Sequence, residues 1–161
     1  MGCICTLAIL FRKAVYMKLY TIGFAGKSAQ EFFEELIKQP IDTLLDIRLK
    51  NTSHRAGFTK KNDLSYFLKK ICNIEYLHDP DKYAPSEELF SKYMEQKINW
   101  YEYEIQYRKL LADRNILRDI DYSIFENTVL LCSEKTPEHC HRRLLAEYLA
   151  ANNKNIEVLH L

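Results

Sequence analysis

The segment KLYTIGFAGKSAQEFFEELIKQPIDTLLDIR, residues 18–48, combines the patterns of a β-strand, an α-helix and a second β-strand. Residues 19–22 and 41–47 are short runs rich in apolar and β-branched side chains, which favours strands. Between them, Ser28 and Glu31 have the spacing of a capping box, in which each side chain bonds a backbone donor at the start of a helix. A strand, a helix and a strand in this order predict two parallel strands with the helix packed on the sheet.

Apolar residues at helical spacing predict the buried face of each helix in the sequence. In the first helix these residues are Ala29, Phe32, Phe33, Leu36 and Ile37. Thr59 is placed to cap a second helix. The expected buried face of that helix consists of Leu64, Phe67, Leu68 and Ile71. Thr136 and Pro137 together are typical of a helix start and predict the beginning of the last helix.

Three further strands are expected, at residues 74–77, 128–131 and 156–159. A helical insertion around residues 86–122 interrupts the alternation of strands and helices. Its helical periodicity runs through Phe90, Met94, Ile98, Tyr101 and Ile105. The sequence therefore predicts an α/β protein: a single three-layer domain over residues 17–161, with a mostly parallel sheet flanked by helices.

Residues 1–16 precede the first predicted strand, and we interpret them as an N-terminal extension or leader outside the fold. Their apolar run is too short to span a bilayer and lacks the flanks of a signal peptide, so no membrane partner is expected. The opening residues MGCICT also fit a myristoylation pattern at Gly2, with Cys3 and Cys5 beside it. That pattern is short and frequently accidental.

The composition is that of an ordinary folded protein, with 47% hydrophobic and 28% charged residues among 161. A formal net charge of +1 gives no global attraction to nucleic acid or to anionic membranes, so any such partner must be held by a local patch. The five cysteines are an odd number with irregular spacing, which favours reduced thiols and a cytoplasmic protein over a disulfide framework.

A basic segment, residues 48–70, is the main local charge feature, with seven cations against one acid. Arg48, His54 and Arg55 lie among hydroxyl and amide side chains there, a combination suited to phosphate. The partners that this predicts are a phosphorylated small molecule or a nucleic acid. A plain solvated surface is the alternative interpretation.

Ligands of open α/β sheets bind outside the carboxyl ends of the strands, so the residues that follow each strand are site candidates. Gly23 opens the turn after the first strand, where backbone can approach a ligand closely or simply turn. Asp46 and Arg48 emerge on the same side of the second strand because strand side chains alternate. We expect these three residues to contribute to a binding pocket.

The segment CSEKTPEHCHRR, residues 132–143, has the highest density of reactive groups. Cys132 or Cys140 is a candidate nucleophile, and Glu134 or His141 a candidate general acid or base. Arg142 is a candidate anion clamp that leaves on an adjacent face of the helix. We expect six residues to converge on one pocket at the strand ends: Asp46, Arg48, Glu134, Cys140, His141 and Arg142. A purely structural role of the cysteines is the alternative.

A metal site built from Cys132, Glu134, Cys140 and His141 is a further alternative. Neighbouring residues on a helix diverge by about 100°, which argues against ligation by both Cys140 and His141. We therefore expect no metal and no cofactor. Tyrosines and Trp100 between residues 93 and 107 could stack on bases, but core packing explains them better.

Four elements together resemble the prokaryotic family called domain of unknown function 488: YTIGFAGKS, the DIR after the second strand, Gly57 with Phe58, and LLCSEKTPEHCHRRLLAEYL. The resemblance extends from about Met17 to Leu161. Phe24 and Ala25 depart from the His-Ser that members often have after Ile-Gly. The resemblance implies a compact cytosolic α/β domain and makes lipidation less expected, but it implies no activity.

The sequence thus predicts an anion- or phosphate-binding pocket at the strand carboxyl ends, and an enzyme for phosphorylated or nucleotide-like substrates is one interpretation of it. A nucleic-acid-binding module that uses residues 48–70 is the alternative, as is a metal-binding or structural Cys/His cluster. Residue types alone do not decide whether the protein is an enzyme.

Overall fold

A computed structural model of the chain describes residues 16–52 and 56–161. Apart from Tyr16, the predicted extension lies outside the described residues, as do the lipidation pattern and the site candidates His54 and Arg55.

One parallel sheet organises the described residues. Its five strands are β1 (Met17–Gly23), β2 (Thr43–Asp46), β3 (Glu75–His78), β4 (Thr128–Cys132) and β5 (Ile156–His160). Their order across the sheet is β3-β2-β4-β1-β5, and every neighbouring pair is parallel. The prediction of an α/β fold is confirmed.

Six α-helices accompany the sheet in the described part of the chain: α1 (Ala29–Ile37), α2 (Lys61–Phe67), α3 (Pro80–Tyr83), α4 (Glu87–Met94), α5 (Trp100–Asp113) and α6 (His141–Asn152). A π-helical turn, Leu68–Cys72, continues α2. The predicted capping box of Ser28 and Glu31 is confirmed at the start of α1. It satisfies two backbone donors that the helix itself leaves unpaired.

The three layers follow from the alternation of side chains along the central strands. Val129 and Leu131 of β4 pack in one apolar core with residues of α1 and α2, and Leu130 packs in a second core with residues of α5 and α6. All five residues of β4 are buried, because the strand has neighbours on both edges and helices on both faces. This position explains the apolar run at residues 129–132.

Helix boundaries and faces differ from the sequence predictions at several positions. Thr59 does not cap α2: its hydroxyl donates to the carbonyl of Ala56, and Lys60 takes the N-cap position without a side-chain bond. Ile37 and Ile71 are 55% and 51% exposed, because each lies in the last turn of its helical segment, beyond the edge of the core.

The insertion is helical as predicted, but the apolar periodicity read from its sequence does not mark the buried face. Phe90, Met94, Tyr101 and Ile105 are exposed, whereas the residues buried from α4 and α5 are Leu89, Tyr103, Tyr107 and Leu111. The two helices are separated by a turn in which Gln96 has a positive φ of 57°. A turn of this kind resets the helical phase, so one continuous periodicity cannot describe both helices.

In the described part of the chain, no helix combines the length and the hydrophobicity that crossing a membrane requires.

Candidate functional site

The carboxyl ends of β2 and β4 lie side by side, because the two strands are parallel neighbours. A cavity of about 210 Å³ opens there. Part of its lining is polar and comes from residues that follow the strands or begin α6: Arg48, Cys132, Ser133, Glu134, Cys140 and His141. Another part is apolar or aromatic and comes mainly from α4 and α5: Pro85, Phe90, Tyr93, Met94, Trp100 and Tyr103.

Asp46 and Arg48 form a buried ion pair. Arg48 donates from Nε to Oδ1 of Asp46 at 2.8 Å and from Nη2 to Oδ2 at 2.7 Å. Nη2 also donates to the carbonyl of Thr59 at 2.8 Å. Burial alone would lower the pKa of the guanidinium, but the bonds and charge of Asp46 outweigh it and raise the pKa. Arg48 therefore stays charged.

Asp46 is held by a second donor and does not line the cavity. The hydroxyl of Tyr76 donates to Oδ2 of Asp46 at 2.7 Å, and Asn51 donates to the hydroxyl oxygen of Tyr76 at 3.0 Å. Burial, followed by the charge of Asp46, raises the pKa of Tyr76 and keeps its proton in place. Asp46 is thus a positioning residue for Arg48, not a group that faces the cavity.

Cys132 and His141 meet at the inner end of the cavity. Nδ1 of His141 lies 3.5 Å from Sγ of Cys132, and Nε2 lies 2.9 Å from the carbonyl oxygen of Ile47. A carbonyl oxygen can only accept a hydrogen bond, so Nε2 carries the proton and Nδ1 offers a lone pair. The backbone just beyond β2 thereby fixes the tautomer of a side chain from α6.

Cys140 is the N-cap of α6 and lies inside the protein, 1% exposed. The helix begins four residues later than Thr136 and Pro137 predict, because the segment before Cys140 forms a turn closed by a bond from its N–H to the carbonyl of Pro137. Cys140 has an extended backbone with φ −136° and ψ 134°. Its side chain therefore does not follow the helical spacing, and the predicted divergence from His141 is wrong.

The two cysteine thiols differ in acidity. A hydrogen bond from the thiol of Cys140 lowers the pKa of Cys132 against the opposing effect of burial, and the backbone N–H groups of Ser133 and Glu134 and the charge of Arg142 add to it. Burial raises the pKa of Cys140, and so does its hydrogen bond to Cys132. Of the two, Cys132 is the sulfur that carries negative charge more readily.

Arg142 is fully buried beneath the loop that follows β4, and it does not line the cavity. Nη1 donates to the carbonyl of Glu134 at 2.6 Å and to Sγ of Cys140 at 3.3 Å, and Nη2 donates to the carbonyl of Lys135 at 3.4 Å. Nε has no partner among the described residues. Arg142, the expected anion clamp, is instead bound to the loop and to one cysteine.

Gly23 also serves this loop and is absent from the cavity lining. A Cβ atom there would lie 1.7 Å from the carbonyl oxygen of Glu134 and 2.8 Å from Nη1 of Arg142. Glycine is required because the loop backbone and the guanidinium pass directly over it. The side chain of Glu134, in contrast, is exposed at the rim of the cavity.

The aromatic residues of α4 and α5 pack mainly on one another. Trp100 stacks on Tyr103 with ring centroids 5.1 Å apart, and Tyr103 stacks on Tyr107 at 6.2 Å. Tyr93 meets Trp100 edge to face, and His139 lies 5.3 Å from the Trp100 ring. Tyr93, Trp100, Tyr103 and His139 of this cluster line the cavity, whereas the sequence analysis weighed base stacking by these aromatic residues and favoured core packing.

The described cations of the basic segment are partly paired. Arg48 is bound to Asp46, Lys50 lies 3.8 Å from Glu87, and Lys69 lies 3.9 Å from Glu75. These contacts remove part of the local positive charge that a nucleic-acid interface would use. Binding of nucleic acid by residues 48–70 stays a prediction.

One site residue escaped the sequence analysis, and two others were named there as possible base-stacking residues without their location. Tyr76 binds Asp46 from β3, and only the pairing of β2 with β3 places them together. Trp100 and Tyr103 line the cavity although they come from the insertion. An alternating strand pattern could have shown that Tyr76 shares a face with His78, but nothing local indicates that the insertion folds over the strand ends.

A model of the family described as domain of unknown function DUF488 matches residues 28–149 of the chain. The chain therefore belongs to this family. The matched range is narrower than the predicted resemblance and leaves out β1 and β5, but it contains β2, β4, the insertion and the Cys132 to Arg142 segment. No curated protein and no solved structure gives a significant match.

Proposed function

We propose that the protein is an enzyme that binds a small phosphorylated, nucleotide-like substrate in the cavity and acts on it at the Cys132 and His141 end. The observation that carries this proposal is the composition of the cavity lining. Aromatic residues from α4 and α5 and polar residues from the strand ends line the same cavity. Ligand pockets typically combine an apolar lining with a few polar groups that fix orientation.

The size of the cavity limits what it can enclose. Its volume of about 210 Å³ lies below the roughly 300–1,000 Å³ of typical ligand pockets. One ring or one phosphorylated group fits inside. The remainder of a substrate would extend over the rim, where Lys50, Glu134 and His139 lie at the surface.

Three groups favour an anionic substrate. Arg48 lines the cavity, and its Nη1 makes no hydrogen bond to a described residue, since its bonds use Nε and Nη2. Lys50 is exposed beside it, 71% accessible. The N-cap residue of α6, Cys140, provides no side-chain acceptor for the first N–H groups of the helix. Phosphate binds favourably to the free N–H groups at the start of a helix and to arginine side chains.

The reactive end of the cavity has the chemistry for a group transfer or a hydrolysis. A thiol and an imidazole in contact occur in nucleophilic catalysis and in ion binding alike. The carbonyl of Ile47 holds the imidazole in one tautomer. These groups are therefore already oriented before a substrate arrives.

Trp100 is the single tryptophan of the chain and lines the cavity, so its fluorescence reports occupancy directly. We would titrate the full chain with adenosine and uridine monophosphates, with the matching nucleosides, and with inorganic phosphate. A monophosphate should quench Trp100 and bind at least about tenfold more tightly than its nucleoside, because a charge-assisted hydrogen bond contributes roughly 1.5–3 kcal/mol.

Ser133→Phe tests the location, because residue 133 lines the cavity and a phenyl group would fill it. Ser91→Phe on the exposed side of α4 is the matched control. Binding that is lost in the first variant and kept in the second supports the cavity. Equal binding in both variants, or equal affinity for nucleoside and monophosphate, would reject the proposal.

A further inference from the structure

Three potential metal-ligand atoms converge at the inner end of the cavity. The sulfurs of Cys132 and Cys140 and a ring nitrogen of His141 all lie within 4.8 Å of one another. Both sulfurs belong to free cysteines, since neither takes part in a disulfide bond. The sequence analysis set a metal aside because it placed Cys140 and His141 on one regular helix, and that premise is wrong.

We propose that Cys132, Cys140 and His141 bind one thiophilic divalent metal ion, with zinc as the best fit, and that the fourth coordination position opens toward the cavity. All three residues line that cavity. Three protein ligands with one open position characterise catalytic zinc sites, and two cysteines with one histidine are among the known sets.

One of the distances already fits a tetrahedral ion, but the imidazole ring must turn to direct Nδ1 at it, because Nε2 lies nearly as close to Sγ of Cys132, at 3.8 Å. With metal–sulfur bonds of about 2.3 Å and metal–nitrogen bonds of about 2.0–2.1 Å, tetrahedral geometry places sulfur and nitrogen roughly 3.5 Å apart. Nδ1 of His141 and Sγ of Cys132 are separated by 3.5 Å. Cys140 needs to move by no more than about an ångström to complete the set, given the 4.8 Å limit on the whole cluster.

The local backbone explains how neighbours in sequence can share an ion. Cys140 is extended, with φ −136° and ψ 134°, and His141 is the first residue of α6. An abrupt change from extended to helical backbone lets consecutive side chains point to one side. Cys132 comes from the end of β4, so the three ligands are anchored on a buried strand and on a helix start.

Groups around the three residues orient them as outer-sphere partners do in metal sites. Nε2 of His141 bonds the carbonyl of Ile47, which directs the lone pair of Nδ1 away from that carbonyl. Nη1 of Arg142 donates to Sγ of Cys140 at 3.3 Å and can stabilise a thiolate there. Arg142 lies buried without lining the cavity, and it binds the loop after β4 as well as the sulfur of Cys140.

The donor types select the kind of ion. Two thiols and one imidazole favour zinc and other ions that prefer sulfur and nitrogen, whereas calcium and magnesium require oxygen. Binding replaces thiol protons, so each ion taken up releases up to two protons. If the proposed function holds, a water in the fourth position would supply the nucleophile for hydrolysis of the bound substrate. Metal binding itself does not depend on that function.

The test uses the full chain with Cys3→Ser and Cys5→Ser, which leaves Cys72, Cys132 and Cys140 as its cysteines. After chelation under reducing conditions, cobalt(II) is added, and then zinc. One equivalent of cobalt should produce the visible bands of tetrahedral coordination together with thiolate-to-cobalt charge transfer. One equivalent of zinc should abolish both signals.

Cys132→Ser, Cys140→Ser and His141→Gln should each weaken zinc binding at least about 100-fold. Cys72→Ser, on the π-helical turn, is the matched control and should bind as the parent does. If a variant fails to fold, thiol labelling of the parent chain tests whether its cysteines bind the ion. Zinc should protect two thiols and leave Cys72 reactive.

Octahedral cobalt spectra, zinc binding unchanged by Cys132→Ser, or three thiols labelled equally with and without zinc would overturn the metal site. The two proposals can fail separately. If the chain binds zinc but no monophosphate, only the proposed function is rejected. If it binds a monophosphate but no metal ion, only the metal site is rejected.

Discussion

A Cβ atom on Gly23 would lie 1.7 Å from the carbonyl oxygen of Glu134, so no side chain fits between the end of β1 and the loop that follows β4. Gly23→Ala must displace that loop, because the clashing atom belongs to the backbone and cannot move aside as the end of a flexible side chain could. We expect a loss in the free energy of unfolding of at least about 1–3 kcal/mol, measured by urea denaturation. Gly57→Ala, where nothing lies within 4 Å of the new carbon, should change stability by less than about 1 kcal/mol. Similar losses at both positions would contradict the close approach.

Asp46→Asn removes the carboxylate that neutralises Arg48 and leaves a buried cation whose remaining partners are the new amide and the carbonyl of Thr59. Breaking a buried ion pair by changing one member costs about 3–5 kcal/mol. We expect a loss of that size in chemical denaturation. Glu95→Gln, which changes an exposed ion pair with Lys97, is the control and should cost less than about 1 kcal/mol. A small effect at Asp46 would mean that Arg48 reaches solvent.

Glu147 should make stability depend on pH in the acid range. Burial raises its pKa, but the bonds and charges of Arg143 and Arg108 outweigh burial and lower it below 4.5. The contribution of Glu147 is therefore present above the unfolded pKa and disappears as pH falls through the folded one. Glu147→Gln should lower the melting temperature at pH 7 and have little effect well below pH 4. Because the side chain is 41% exposed, the effect should stay below about 1 kcal/mol.

Glu157→Gln on β5 is the control for this pH series, since Glu157 has no ion pair among the described residues. If Glu147→Gln still lowered the melting temperature at low pH, the residue would act through packing and not through charge.

Ile37 and Leu36 are neighbours with opposite surroundings, 55% and 0% exposed. Ile37→Lys should leave the unfolding free energy within about 0.5 kcal/mol, because the side chain already meets water. Leu36→Ala should cost about 2–5 kcal/mol through lost burial and a cavity. Thermal and urea unfolding of the two variants would check this. A costly Ile37→Lys would show that something covers the α1 surface in solution.

The same pair of residues shows how far hydrophobic periodicity reaches. Hydrophobic periodicity and capping residues are enough to predict β1, α1 and β4, because both signals lie within the element itself. Whether a residue at the edge of an apolar stripe is buried depends on how far the neighbouring layer extends, which is a tertiary property. Ile37 and Ile71 both lie beyond that limit.

The candidate site was predictable in its location but not in its internal arrangement. The rule for parallel sheets brings Arg48, Cys132 and Glu134 to one edge. It does not reveal that Arg142 turns inward to bind backbone, or that Cys140 is extended and faces His141. Both depend on where α6 begins, and a turn closed by the carbonyl of Pro137 decides that.

The hydrogen bond from His141 to the carbonyl of Ile47 joins residues 94 positions apart. Parallel neighbours such as β2 and β4 can pair only after the intervening chain has looped back, and contacts of high sequence separation form slowly. A nascent chain on the ribosome that ends before α6 would therefore expose to solvent the apolar face of β4 and α5 that α6 covers. During synthesis, such a chain would be a candidate client for chaperones until the last helix emerges.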